Sequence, residues 1–327
     1  MPTSRRGLIF ILIMNIEKIH IAKSLHIESA PLAGYTDRAM RRVLIECGAK
    51  VVYTEMISVA ALSFNSEKTL NMLSLDKVKG VKNVVQLFGN KPELFAAAVT
   101  HPALSDFDEI NINMGCPAKK IVSSGEGAAL MLDMPLAEEI IKSCIENTKK
   151  TVTVKMRLGY EDIDRDVNEG EPVEVLELAR ICERLGVKKI IVHGRVATQQ
   201  FRGTADWHAI ARVVEAVDIP VIANGDIKDL ETARECLAIT KAAGLMIGRA
   251  IIGAPWKIAL LPTPGQEEVK RIIRMHLDEA RIDGIGIPHL RKHLLQYFDH
   301  LDGGKELKPE ISKATDYDQI FSMLGSS

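Results

Sequence analysis

The chain has 327 residues, 46% of them hydrophobic and 26% charged, with a formal net charge of −1. This composition suits a folded protein with one barrel-sized domain and a smaller unit, and it provides no global positive field to attract nucleic acid, so any RNA contact must come from a local patch. The five cysteines (Cys47, Cys116, Cys144, Cys182, Cys236) form no C-x-x-C, which excludes a zinc ribbon or a disulfide framework and points to a reducing cytoplasm, with no metal expected.

In chain order, the apolar run Gly7–Ile16 comes first, behind Arg5 and Arg6. It is too short to span a bilayer and has no small-residue cleavage site, so residues 1–22 read as a dispensable extension. Short β-rich runs then alternate with amphipathic stretches. Strands are expected at His26–Ala33, Lys50–Glu55, Asn83–Phe88, Glu109–Asn113, Thr151–Arg157, Lys189–His193, Pro220–Asn224 and Gly244–Gly248. Between them helices are expected, among them Asp37–Glu46, Pro92–Thr100, Pro135–Asn147, Pro172–Leu185, Asp206–Val217 and Leu230–Ile239, several opening on Pro or Asp. Eight strand–helix units imply a parallel sheet closed into an α/β (β/α)₈ TIM barrel over residues 23–260. A doubly wound sheet would more naturally carry G-x-G-x-x-G after its first strand, and that turn is missing here. Past Pro255–Trp256 the alternation stops. Leu261–Gln266 reads as a linker, and residues 267–327 as a small all-α domain carrying Arg271, Arg274, Arg281, Arg291, Lys292 and His293.

In a barrel the turns after the strands share one rim, where active sites are built. Cys116 lies in NMGCP after the fourth strand, where Gly115 and Pro117 shape a loop that presents a thiol; the loop alone leaves thiolate nucleophile and thiol acid both open. Lys155 and Arg157 share the inward face of the fifth strand, two cations suited to an anion or to a rim salt bridge. His193 ends the sixth strand in HGR. Asn224-Gly225-Asp226 and Gly248-Arg249 follow strands seven and eight, where barrels commonly hold phosphate on backbone N–H groups; a phosphorylated ligand is expected. Pro31, Leu32 and Ala33 offer backbone atoms after the first strand, and Gln86 can either hydrogen-bond a flat heterocycle or cap the end of the third.

Six runs, in order, resemble the tRNA-dihydrouridine synthase family, nearest its bacterial B-type branch: APLAGYTDRAMRR (Ala30–Arg42), DEININMGCPAKK (Asp108–Lys120), VKMRLG (Val154–Gly159), HGRVATQQFRGTADW (His193–Trp207), PVIANGDI (Pro220–Ile227) and LMIGRAIIGAPW (Leu245–Trp256). A weaker likeness continues through RKHLLQYF (Arg291–Phe298), similar to the family's helical RNA-binding domain. The resemblance implies FMN contacts at Pro31, Leu32, Ala33, Gln86, Lys155, His193, Asn224, Gly225, Asp226, Gly248 and Arg249. It implies Cys116 as the catalytic acid, and Asn113 as the asparagine near the target base; Arg157 joins the expected substrate-binding residues. The implied reaction reduces a D-loop uridine of tRNA to 5,6-dihydrouridine with NADPH as hydride donor; a monomer is expected. An FMN barrel acting on a free pyrimidine or another small molecule is the alternative, for which a helical C-terminal domain has no evident use.

Overall fold

The computed structural model describes residues 24–161 and 173–325; the expected extension at residues 1–22 lies outside them. The eight strands are β1 (Ile27–Ser29), β2 (Val51–Ser58), β3 (Lys82–Phe88), β4 (Glu109–Met114), β5 (Thr151–Arg157), β6 (Ile190–His193), β7 (Val221–Asn224) and β8 (Gly244–Ile247). All registered pairs are parallel, in the order β1-β8-β7-β6-β5-β4-β3-β2. At the remaining seam the Tyr53 N–H donates to Ser29 Oγ at 3.4 Å, so the sheet forms a nearly closed (β/α)₈ barrel.

Two strands differ from their expected bounds by more than one residue at an end, each for a local reason. β1 stops early because Pro31 has no N–H to extend the ladder; Ala30 makes the last bond, to Ile247 O at 2.9 Å. β2 runs longer than expected, through a register shift between Tyr53 and Met56. Several helices begin where an aspartate caps them: Asp37 accepts from Met40 N, Asp133 from Leu136 N and Asp206 from Ala209 N, and Asp229 forms a capping box with Thr232.

Alternation along each strand sorts the core. Ile110, Ile112 and Met114 of β4, with Val152, Val154 and Met156 of β5, face the surrounding helices. Inside the barrel, a small apolar cluster of Val51, Tyr53, Val84, Ile191, Ile222 and Met246 fills one side. The β3–β5 side is polar instead, with Gln86, Glu109, Asn111, Asn113 and Thr153 all buried. A third cluster joins the C-terminal helices Gln266–Ile282 and Ile287–Tyr297 to Ala39, Val43 and Trp256 of the barrel. The helical region thus shares a core with the barrel. Arg38 reinforces the seam, bonding Glu279 at 2.8 Å and Asp283 at 2.7 Å.

Candidate active site

A cavity of about 1060 Å³ opens at the C-terminal ends of the strands. All the barrel residues expected to contact cofactor or substrate line it except Gln86. Cross-strand register explains the convergence. Arg157, His193, Asn224 and Met246 are successive partners across β5 to β8, and Asn113 pairs with Lys155 one layer deeper. Gln86 sits behind Asn113 rather than in the wall, its Oε1 accepting from Asn113 Nδ2 at 2.8 Å.

Cys116 is half-buried on the loop after β4. The Asn113 carboxamide holds that loop: Oδ1 accepts from Gly115 N at 3.1 Å and from Cys116 N at 2.9 Å. Gly115 is needed for close approach to β5, since an added Cβ would lie 3.2 Å from the Met156 carbonyl carbon. Burial pushes the Cys116 thiol above its ordinary pKa, against the opposing pull of the Ala118 backbone, Arg157 and Lys155. At neutral pH the group is therefore a thiol.

Lys155 Nζ donates to Asn224 Oδ1 at 3.1 Å, and Asn224 Nδ2 donates to Met246 O at 2.8 Å. Burial, with Arg157 adding like-charge repulsion, lowers Lys155 to about 7. His193 is held well below its ordinary value by burial first and then by Lys155, Arg157, Arg195 and Arg249, so its ring is neutral. Its Nε2 faces Arg195 Nη1 at 3.4 Å and accepts there, because a guanidinium only donates.

Arg157 faces the cavity, yet its donors are engaged by Gly115 O (2.9 Å), Val196 O (2.8 Å) and Gln200 O (3.0 Å). It staples the Cys116 loop to the loop after β6. Asp226 is similarly occupied, its carboxylate receiving Arg195, Arg249 and the Ala205 N–H. The backbone of that turn is what faces the cavity. Gly225 has φ +121°, and a Cβ there would strike Ala205 Cβ at 2.7 Å, so only glycine fits.

Several lining residues were not among the sequence candidates. Phe201, 52% exposed, lies under the Arg249 guanidinium at 4.8 Å and has Arg157 at 5.8 Å. Its signal was an aromatic in the otherwise polar His193–Trp207 connection. Gln296 reaches the wall from the helix Ile287–Tyr297, and its neighbour Lys292 sits 4.4 Å over the Tyr35 ring. No local pattern announces such a contribution from the far end of the chain. Of the C-terminal basic residues read from the sequence, Lys292 reaches the rim. His293 is buried, Arg291 bonds Ala314 O at 2.9 Å and Arg274 bonds Gly325 O at 2.8 Å.

Fold and site define a (β/α)₈-barrel enzyme with cationic and glycine-bearing turns after β7 and β8 and a protonated cysteine on the loop after β4. A family model described as Dihydrouridine synthase (Dus) matches residues 28–323, and the chain belongs to that family. It is 35% identical to a probable tRNA-dihydrouridine synthase of Rickettsia bellii, over 91% of this chain and 93% of that one. It is 34% identical to tRNA-dihydrouridine synthase B of Pseudomonas putida, over 88% and 86% of the two chains. Among solved structures, the 6-hydroxypseudooxynicotine amine oxidase of Pseudomonas geniculata N1 shares the barrel fold with a TM-score of 0.55 at 13% identity, covering 76% of this chain and 50% of its own.

Proposed function

We propose that this protein reduces uridine in the D-loop of tRNA to 5,6-dihydrouridine, using FMN held in the cavity and NADPH as electron source. The observation that carries the reading is that the Cys116 thiol lines the same cavity as the Gly225 and Gly248–Arg249 turns, which favour a phosphate. Membership of the family and relatives named as tRNA-dihydrouridine synthases support it.

The residues present fit a flavin mononucleotide. Gly225 lets the turn after β7 pack tightly against Ala205 and His193 while lining the cavity, and Gly248 and Arg249 complete a phosphate-directed rim. Lys155 offers a cation at the floor beside Asn224. When bound, the flavin supplies hydride-transfer chemistry. Reduction across the uracil C5–C6 bond places hydride on C6 and a proton on C5. Cys116 is assigned that proton, carried on Sγ, and the resulting thiolate is stabilised by Arg157 and Lys155 until solvent reprotonates it. Neutral His193 and the Asn224 carboxamide orient ligand without competing as acids. Asn113, with both ends of its carboxamide engaged, acts on the Cys116 loop.

The helical region, with Gln296 in the wall and Lys292 at the rim, supports a macromolecular substrate over a free pyrimidine. A monomer in the cytoplasm completes the proposal; no helix among the described residues is long and apolar enough to cross a membrane.

The test is single-turnover reoxidation of pre-reduced enzyme by tRNA. Cys116→Ala is expected to slow it about 10²–10⁴-fold while leaving flavin content and NADPH-driven reduction near wild type. Equal rates for the two proteins would defeat the assignment, and faster reoxidation by free uridine than by tRNA would favour the small-molecule reading.

A further inference from the structure

The polar interior of the barrel is a directed chain rather than a scatter of amides. At its foot Lys189 Nζ bonds the Glu109 carboxylate at 2.9 Å. Thr153 Oγ1 donates to that carboxylate at 3.0 Å and accepts from Asn111 Nδ2 at 2.9 Å. Asn111 Oδ1 in turn accepts from Gln86 Nε2 at 2.7 Å, and Gln86 Oε1 accepts from Asn113 Nδ2 at 2.8 Å. The chain ends where Asn113 Oδ1 receives the backbone N–H groups of Gly115 and Cys116.

The Cys116 end fixes the direction of every carboxamide, and at the foot the Thr153 hydroxyl has two acceptors, the Glu109 carboxylate and Ile110 O at 3.3 Å. A carboxylate paired with an ammonium only accepts, and a backbone N–H only donates. Reversing any one carboxamide would set oxygen against oxygen or N–H against N–H inside a buried layer, where unpaired groups are costly. The side chains of Thr153, Asn111 and Gln86 are fully buried, and none lines the cavity. Apolar residues would fill such an interior at lower desolvation cost, so their polarity calls for a use.

We infer that Asn111 and Thr153 are positioning residues for the reaction: through Gln86 they orient the Asn113 carboxamide, which sets the backbone of the Cys116 loop and the direction of its thiol. This role rests on the reading of Cys116 as proton donor; Asn111 and Thr153 themselves lie outside the cavity wall.

The experiment uses flavin-loaded enzyme carrying Asn111→Leu, Thr153→Val or Thr153→Ser. Thr153→Val preserves shape while removing the hydroxyl, and serves where Asn111→Leu fails to accumulate. Two quantities are read: reoxidation of the reduced enzyme by tRNA, and the pH profile of Cys116 alkylation by iodoacetamide, followed on its own peptide by mass spectrometry. Asn111→Leu and Thr153→Val are expected to slow reoxidation about 10- to 100-fold, the scale of a misplaced reacting group. Each should also shift the alkylation profile, and Thr153→Ser should restore both. In a Cys116→Ala background Asn111→Leu should cost nothing further, because both changes act on one step. Unchanged alkylation and reoxidation in folded variants, or a full additive loss on top of Cys116→Ala, would overturn the inference. A Cys116→Ala enzyme that keeps its full rate would instead defeat the proton-donor reading, while the alkylation profile still decides whether Asn111 positions the loop.

Discussion

Arg195 and Asp226 meet at 2.6 Å, the arginine side chain 1% exposed and the aspartate 29%, and this pair ties the loop after β6 to the turn after β7. Arg195 also bonds Arg202 O at 3.1 Å and Gly203 O at 2.6 Å, while Asp226 reaches Arg249 at 3.2 Å. Three rim segments therefore hang on one carboxylate. Asp226→Asn keeps the shape but leaves a buried guanidinium short of its counter-charge. We expect a loss of about 1–3 kcal/mol in chemical denaturation and a fall in the flavin content of the purified protein. An unchanged midpoint with full flavin would show that the pair is dispensable.

Lys155 gives a proton-linkage prediction. Its folded value of about 7 is below the ordinary 10.5, so free protein above pH 7 has largely lost this proton. An anionic ligand placed beside it raises the value again, and binding must then take up the proton. Above pH 7, where the FMN phosphate is already ionised, FMN affinity is expected to fall as pH rises, with uptake approaching one proton per FMN at about pH 8. Calorimetry in buffers of different ionisation enthalpy measures the uptake directly. Lys155→Met should abolish it, and equal uptake in that variant would assign the proton elsewhere.

The seam between barrel and helices contains a buried pair, His276 and His293, with ring centroids 5.0 Å apart. Burial, more than any neighbour, holds His276 at about 4 and His293 at about 3, with Asp37, Lys292 and His289 nearby. Both values are depressed, so between the ordinary histidine value and these the unfolded chain binds more protons. Stability is present above about pH 6.5 and is lost as pH falls toward 4. Melting temperature followed over that range is expected to decline, and His293→Phe should flatten the decline. A wild-type curve level down to pH 4 would contradict the sign.

Truncation at the linker is expected to damage the barrel, because Ala39, Val43 and Trp256 are covered by the C-terminal helices. Low soluble yield and increased dye binding should result. The contribution of the helices to RNA binding is better measured with Lys292→Ala. That change should weaken tRNA binding and reduce its salt slope by about one. An unaltered slope would place the phosphate contacts elsewhere.

The sequence by itself determined the barrel, because strand and helix periods alternate eight times and polar turns end the strands. It also determined most of the cavity wall: a side chain at the C-terminal end of a barrel strand has one rim to occupy, so Lys155, His193 and Asn224 could be placed from position alone. Local pattern could not reveal what each polar group bonds to. Gln86 and Asn113 are both uncharged amides near strand ends, yet one is sealed behind the other, because β3 lies against β4 with Gln86 opposite Asn111. Position left Arg157 open between an anion and a rim salt bridge and set Asp226 among the ligand contacts, whereas tertiary contacts engage both side chains in holding loops together. The state of Cys116 was likewise decided by folding, since burial acts on the thiol only once β5 and its neighbours surround it. Lys292 and Gln296 reach the rim because an apolar core joins their helix to the barrel, a contact made between distant segments and invisible to any short window of sequence.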